Sequence, residues 1–100
     1  MQVYNRSRRK TEWDEQLIAQ VLLDDFEAYG ILLKKYQLFI NHVAYSLTGN
    51  QKEGRKLAMV AIMVLWNDRK KLHPEIPFRG YLEDLITKLH KRGSPFLSDN

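Results

Sequence analysis

Leu57-Ala-Met-Val-Ala-Ile-Met-Val-Leu-Trp66 is an unbroken run of ten apolar residues, flanked by Arg55-Lys56 and by Asn67-Asp-Arg-Lys-Lys71. An α-helix turns once in about 3.6 residues, so ten apolar residues cover every face, whereas an amphipathic surface helix keeps a polar side. The run is too short to cross a bilayer, which takes about 20 apolar residues. We therefore expect no membrane segment here, and a helix that is buried all round or offers a second apolar face to a partner.

The composition is that of one folded domain. The chain has 100 residues, of which 44% are hydrophobic and 28% are charged, and it contains no cysteine. This length supports a single hydrophobic core. The lack of cysteine excludes disulfides and thiolate chemistry and fits a reducing compartment. Because the first residues lack the apolar stretch of a signal peptide, we expect a cytoplasmic protein.

The formal net charge of +4 is concentrated towards the two ends of the chain. Residues 1–11 contain four basic residues and no acid, and residues 67–92 contain seven basic residues and four acids, while residues 12–66 are mildly acidic. This distribution suits an anionic partner, of which nucleic acid is the commonest. The alternative is an ordinary solvated surface with a basic tail.

Glycine and proline positions divide the chain into helices, and no segment shows the period-two alternation of a strand. We predict four helices, over residues 12–23, 25–48, 51–71 and 78–92. The segment Leu72–Pro77 is predicted to be non-helical because its two prolines cannot continue a helix. The expected fold is an all-α compact bundle. Its parts are a basic N-terminal arm (1–11), a helical domain (12–92) and a C-terminal tail (93–100).

The sequence shows no constellation of catalytic or metal-binding residues. The three histidines, His42, His73 and His90, are far apart and match no ligand spacing, and there is no glycine-rich phosphate loop or nucleophile elbow. We therefore expect no enzyme, no cofactor and no metal. His42, between apolar neighbours on a long helix, is expected to be a partly buried structural residue.

The segment from Asn67 to Tyr81 indicates a different chemistry. It places cations and aromatic rings around a proline-containing loop: Arg69, Lys70, Lys71, His73, Phe78, Arg79 and Tyr81. Cations bind the phosphates of a single strand, and aromatic rings stack on unpaired nucleobases. The alternative is that Phe78 and Tyr81 belong to the core and that the cations are only solvated.

Two motifs flank this loop, Leu65-Trp-Asn-Asp-Arg69 and Pro77-Phe-Arg-Gly-Tyr-Leu82. Three further pieces precede them: Asp24-Asp-Phe-Glu-Ala-Tyr29, Leu33-Lys-Lys-Tyr36 and Ala44-Tyr-Ser-Leu-Thr-Gly-Asn50. In this order and spacing they resemble region 2 of extracytoplasmic-function sigma factors, and the two flanking motifs look most like versions from the Bacteroidetes. The resemblance covers about residues 14–92.

The resemblance implies a transcription-initiation domain that docks on the beta-prime clamp helices of core RNA polymerase and captures the promoter −10 element as single-stranded DNA. An anti-sigma factor is a further candidate partner. A family member normally adds a second helical domain that reads the −35 element, for which this sequence has no segment. The expected DNA-binding residues are Arg69, Lys70, Lys71, His73, Phe78, Arg79, Tyr81, Lys88 and Arg92.

The chain departs from the family at the motif that binds polymerase. The family's acidic stretch, typically Ala-Glu-Asp-Leu-Val-Gln-Glu-Val-Phe, falls on Gly54-Arg-Lys-Leu-Ala-Met-Val-Ala-Ile62, so its Glu-Asp pair is replaced by Arg55-Lys56. Those acids meet basic groups on the clamp helices, and reversing them turns attraction into repulsion. In the fourth helix the family's asparagine and aspartate fall near Lys88 and Arg92, which keeps that helix basic.

The expected docking face combines the reversed charges with apolar residues: Arg55, Lys56, Met59, Val60, Met63 and Val64. Its four apolar members lie where the family places polar, partner-facing side chains, and methionine-rich surfaces suit adaptable protein contacts. The partner would be a divergent polymerase surface, another helical protein or a second copy of the chain. Alternatively, another segment such as the N-terminal arm covers this face. The competing function is an interaction or regulatory module without promoter recognition, self-associating through the third helix.

Overall fold

The computed structural model describes residues 13–93, and over this range the chain is an all-α bundle of four helices. The helices are α1 (residues 13–22), α2 (Phe26–Thr48), α3 (Gln51–Asn67) and α4 (Phe78–Arg92), with a 3₁₀ turn at Arg69–Lys71. The predicted fold class is confirmed. The predicted basic arm, residues 1–11, and the tail after Gly93 lie outside the described residues.

The α1–α2 turn is built from two consecutive aspartates. Asp24 adopts the left-handed backbone conformation, with a φ of 68°, which aspartate and asparagine tolerate better than most residues. Asp25 is the N-cap of α2, and its side chain accepts a hydrogen bond from the backbone N–H of Ala28 at 3.1 Å. The two helices are therefore joined by a tight turn that leaves the Asp24 carboxylate at the surface.

The α2–α3 hairpin is equally tight. Gly49 ends α2 in the left-handed conformation and donates its N–H to the Tyr45 carbonyl, and the Asn50 side chain caps α3 through the N–H of Glu53. A Cβ at Gly54 would lie 3.1 Å from the Cα of Tyr45, so glycine at this position allows the two helices to approach closely.

The core draws side chains from every helix and from the loop. Its fully buried large members are Ile18, Val21, Leu32, Ile40, Leu57, Leu65, Leu82 and Ile86. Helix α2 packs against both α3 and α4 and forms the centre of the bundle. The apolar run of α3 is divided: Leu57, Ala58, Val60, Ala61 and Leu65 are buried, while Met59 and Met63 point to solvent.

Helix α3 ends at Asn67, four residues earlier than predicted. The backbone then tightens into the 3₁₀ turn, after which Leu72 becomes extended and enters the core. The prediction ended the helix where the proline-containing segment Leu72–Pro77 begins, whereas burial of Leu72 requires the chain to turn before that segment.

The prediction for His42 was wrong, because its side chain is exposed rather than partly buried. Trp13 and Phe26 are apolar but largely exposed, and both lie in the first turn described for their helices. No helix within residues 13–93 combines the length and apolar character needed to cross a bilayer.

Candidate nucleic-acid interface and docking face

Two of the predicted DNA-binding cations, Arg69 and Lys70, are bound to the α1–α2 turn. Arg69 donates from Nε to the Asp24 carboxylate at 2.8 Å and from Nη1 to the Trp66 carbonyl at 2.8 Å, and its guanidinium lies 4.1 Å from the centre of the Trp66 indole. Lys70 binds the same carboxylate at 3.0 Å and donates to the Leu22 carbonyl. These cations join the 3₁₀ turn to the start of the bundle, so part of their charge is neutralised.

The electrostatics of Asp24 follow from this arrangement. Hydrogen bonds from Lys70 and then Arg69 lower the pKa of the Asp24 carboxyl below its ordinary value, because both cations favour the charged form. Asp24 is therefore a carboxylate with two cationic partners drawn from more than forty residues away in the chain.

An open cavity of about 540 Å³ lies beneath the Pro74–Pro77 loop, between α1, α2 and the first turn of α4. Arg79 stands at this cavity with its guanidinium 4.3 Å from the centre of the Phe39 ring. Within residues 13–93 no carboxylate lies at salt-bridge distance from Arg79. Its positive charge thus remains available beside an apolar wall.

A polar network forms another wall of the cavity. The carboxylate of Asp14 accepts hydrogen bonds from Lys35 Nζ at 2.5 Å and from the Tyr36 hydroxyl. Burial, and then the neighbouring Asp14, raises the pKa of Tyr36 well above its ordinary value, so the phenol stays protonated and donates. Glu15 and Glu75 also line the cavity, so its interior suits an uncharged polar ring better than a phosphate group.

Phe78 was predicted to contact DNA as an accessible ring, but the structure buries this ring in the core. Only 3% of its surface is exposed, and its ring packs edge-on against Tyr36 with 5.1 Å between ring centres. A ring held in the core has no free face for a nucleobase to stack on. Phe78 instead forms the floor of the cavity, as the alternative interpretation of the sequence held.

The remaining predicted DNA-binding residues lie elsewhere. Tyr81 is half-buried, and burial raises its pKa with further contributions from nearby Asp68 and Asp84. At about 100° per residue, Tyr81 projects from the side of α4 nearly opposite to Arg79. The other four predicted residues are at the surface: Lys71, His73, Lys88 and Arg92. Two of them have carboxylate partners, Lys71 with Asp68 at 3.6 Å and Lys88 with Asp84 at 3.0 Å.

The predicted DNA-binding residues are therefore not gathered at one place. Arg69 and Lys70 are bound to Asp24, Lys88 lies near Tyr81, and Arg79 and the buried Phe78 line the cavity. The cavity residues Lys35 and Phe39 were missed. Their spacing with Tyr36 on α2 was visible in the sequence, but nothing local indicated that Arg79 would pack against them.

Most of the residues predicted for a docking face on α3 reach the surface. Arg55, Met59 and Met63 are exposed, and Lys56 and Val64 are half-buried. Val60 was assigned to this face wrongly, since it is only 6% exposed and belongs to the core. In a run that is apolar at every position, the sequence pattern does not say which residues face inward.

An aromatic cluster extends this face, and sequence analysis missed it. Phe26 meets the Trp66 indole edge-on at 5.0 Å between ring centres, and Tyr29 lies 4.9 Å from the same ring. The hydroxyl of buried Tyr29 donates to the Ile62 carbonyl, and burial raises its pKa. We define the docking face by its exposed or half-buried residues: Lys52, Arg55, Lys56, Met59, Ile62, Met63, Trp66 and Phe26.

Within the described residues 13–93, no three histidine, aspartate or glutamate side chains come together as a metal site would require. No protein-family model, no curated protein and no solved structure matches this chain.

Proposed function

We propose that the chain is a transcription-initiation domain of the sigma region 2 type, which binds promoter DNA as a single strand and docks on core RNA polymerase. The observation that carries the DNA-binding part is the open cavity of about 540 Å³ with Arg79 at its edge and no carboxylate partner for that cation in residues 13–93. Polymerase docking rests on the resemblance alone.

The chemistry of the cavity favours one unpaired nucleobase. Phe39 and Phe78 supply apolar walls, and the acids Glu15 and Glu75 can accept hydrogen bonds from the exocyclic amino group of a base. Those acids would repel a phosphate inside the cavity, whereas Arg79 can bind the phosphate that follows the inserted base. The strand backbone would then pass the exposed His73, which precedes the cavity residue Pro74 in the chain.

Fluorescence anisotropy of a labelled single-stranded oligonucleotide tests this proposal, with the duplex of the same sequence as the control. We expect the single strand to bind more tightly than the duplex, because only an unpaired base can enter the cavity. The affinity should fall steeply with salt, because phosphate neutralisation releases counterions. Failure to bind at low salt, or binding that salt does not weaken, would contradict the DNA-binding part.

Binding to the isolated beta-prime clamp helices at moderate salt tests the docking part separately. The position of α3 under the resemblance supports docking, but Arg55 and Lys56 oppose a basic partner surface. Micromolar or tighter binding would support docking despite these charges. Its absence, with the domain folded, would restrict the proposal to DNA.

The second candidate is a protein-interaction module that has lost promoter recognition. It is favoured by the exposed methionines on α3 and by the partners that Arg69 and Lys70 already have. It predicts that the single-strand measurement fails while α3 still binds a protein. The two candidates are thus separated by the DNA experiment alone.

A further inference from the structure

The apolar residues of the docking face form a continuous strip on the surface of the bundle. Met59 and Met63 are one helical turn apart and are 59% and 57% exposed. Beside them, half-buried Ile62 and Trp66 lead to Phe26, which is 67% exposed and packs on the indole. Exposed methionines and aromatic rings in one strip are typical of surfaces that bind another helix.

The charges around this strip are unevenly distributed. Lys52, Arg55 and Lys56 occupy the N-terminal part of the same side of α3, where the helix dipole adds a partial positive charge. The one acid among them, Glu53, lies 3.8 Å from Lys56 and offsets a single charge. The N-terminal end of the strip is therefore positive.

A second copy of the chain would fit these charges poorly. In a parallel pairing the same cations would meet one another. In an antiparallel pairing they would meet the Trp66 end of the strip, where Asp24 is already bound by Arg69 and Lys70 and Asp25 caps α2. At this end Glu27, beside Phe26 in the chain, is the remaining exposed acid without a salt bridge in the described residues, and one carboxylate would have to face both Arg55 and Lys56.

We propose that this face binds an amphipathic helix of a partner protein that carries acidic residues at the end contacting Lys52, Arg55 and Lys56. From Lys52 to Trp66 the face extends over about 21 Å at the rise of an α-helix, so the bound segment is about four turns long. Apolar side chains of that segment contact the two methionines and the Trp66–Phe26 pair, and its acids bind the cations. The inference is independent of DNA binding, because none of these residues lines the cavity. It names an occupant for the same face of α3 that polymerase docking would use.

Two synthetic helical peptides of about 15 residues test this with the full chain. Both carry the same leucine stripe, and one has glutamates where the other has lysines at one end. Nuclear magnetic resonance of methyl-labelled methionine reports directly on Met59 and Met63. We expect the glutamate peptide to shift both methyl signals and to bind at least about tenfold more tightly than the lysine peptide.

Two variants show whether the charges set this preference. Replacing Arg55 and Lys56 together by glutamate should reverse the preference between the peptides, and circular dichroism should show an intact fold because Arg55 is exposed and Lys56 half-exposed. The matched control is Leu38→Gln, which removes a strongly exposed apolar residue from α2, outside the docking face. It should leave both affinities unchanged.

Three results would overturn the proposal. Equal affinity for the two peptides on the unmodified chain would remove the role of charge, whether or not the charge variant folds. Binding that leaves both methionine signals in place would move the site elsewhere. A concentration-dependent dimer that shifts these signals without peptide would identify a second copy as the occupant. Because neither peptide contains nucleic acid, failure here would leave the DNA-binding proposal untouched.

Discussion

Arg69 and Arg79 both stack a guanidinium on an aromatic ring, Trp66 at 4.1 Å and Phe39 at 4.3 Å, yet their charges are not equally available. Arg69 also binds the Asp24 carboxylate and a backbone carbonyl, whereas Arg79 has no carboxylate partner within residues 13–93. The first is a structural connection between distant segments, and the second is a free cation beside a cavity. Charge counted along a sequence therefore overstates the charge that a partner can use.

The largest effect should come from Phe78→Ala, because the Phe78 ring is almost fully buried. Phe78 also precedes Arg79 in the chain. Removing a buried phenylalanine side chain costs about 3–5 kcal/mol, a large share of the roughly 5–15 kcal/mol typical of a whole domain. Urea denaturation should show this loss. Phe78→Leu is the control and should cost about 1 kcal/mol, because it preserves most of the volume. Full stability of the alanine variant combined with lost DNA binding would instead restore base stacking as the role of this ring.

Replacing each arginine by glutamine tests whether Arg69 and Arg79 differ in their contribution to DNA binding. Arg79→Gln should weaken single-stranded DNA binding about tenfold, the effect of losing one hydrogen-bonded charge at a phosphate. Arg69→Gln should change that affinity less than about twofold. It should instead lower the free energy of unfolding by about 1–2 kcal/mol, through the lost Trp66 carbonyl bond and ring contact.

Anisotropy and urea denaturation on the same two variants decide this. If both variants lose DNA affinity equally, then the ion pair with Asp24 does not prevent Arg69 from binding DNA. If neither does, then the cavity is not the DNA site.

Much of the fold could be predicted because its signals are local. Gly49 and Gly93 end helices in the left-handed conformation, and the prolines keep the segment before α4 non-helical. These features depend on residues close in sequence, which a pattern can represent.

The site was less predictable because its decisive contacts join distant residues. The cavity network links Asp14 to Lys35 and Tyr36 across more than twenty residues, and Asp24 meets Arg69 across forty-five. Val60 was placed at the surface because the resemblance aligns it with a partner-facing position. The apolar run gave no contrary signal, since every face of the helix has the same character. The packing of α2 and α4 on α3 decides which face of α3 turns inward. A local sequence pattern does not contain that information.

The smallest predicted effect is the contribution of the Asp24 ion pairs with Arg69 and Lys70 to the free energy of unfolding, and its pH dependence reveals it. The pKa of Asp24 is lower in the folded protein than in the unfolded chain, because Lys70 and then Arg69 stabilise its carboxylate. Its contribution to stability is therefore complete above the unfolded pKa, near 4, and is lost as the pH falls through the lower folded pKa. Asp24→Asn should consequently be less stable than the parent at pH 7, and the gap should close on acidification. Urea denaturation of both proteins at several pH values measures this difference in the free energy of unfolding.

Asparagine is the appropriate replacement because it keeps the left-handed turn at position 24, so the experiment alters charge and not backbone strain. The other carboxylates titrate in both proteins, and the difference between the two curves isolates this one. Lys70→Gln should reduce the same difference, since Lys70 is the larger cause of the pKa shift. In the double variant the two losses should fall short of their sum, because both remove one interaction. A gap that persists unchanged at acid pH would mean that Asp24 acts through turn geometry alone, and Arg69 and Lys70 would then be as free to bind DNA as Arg79.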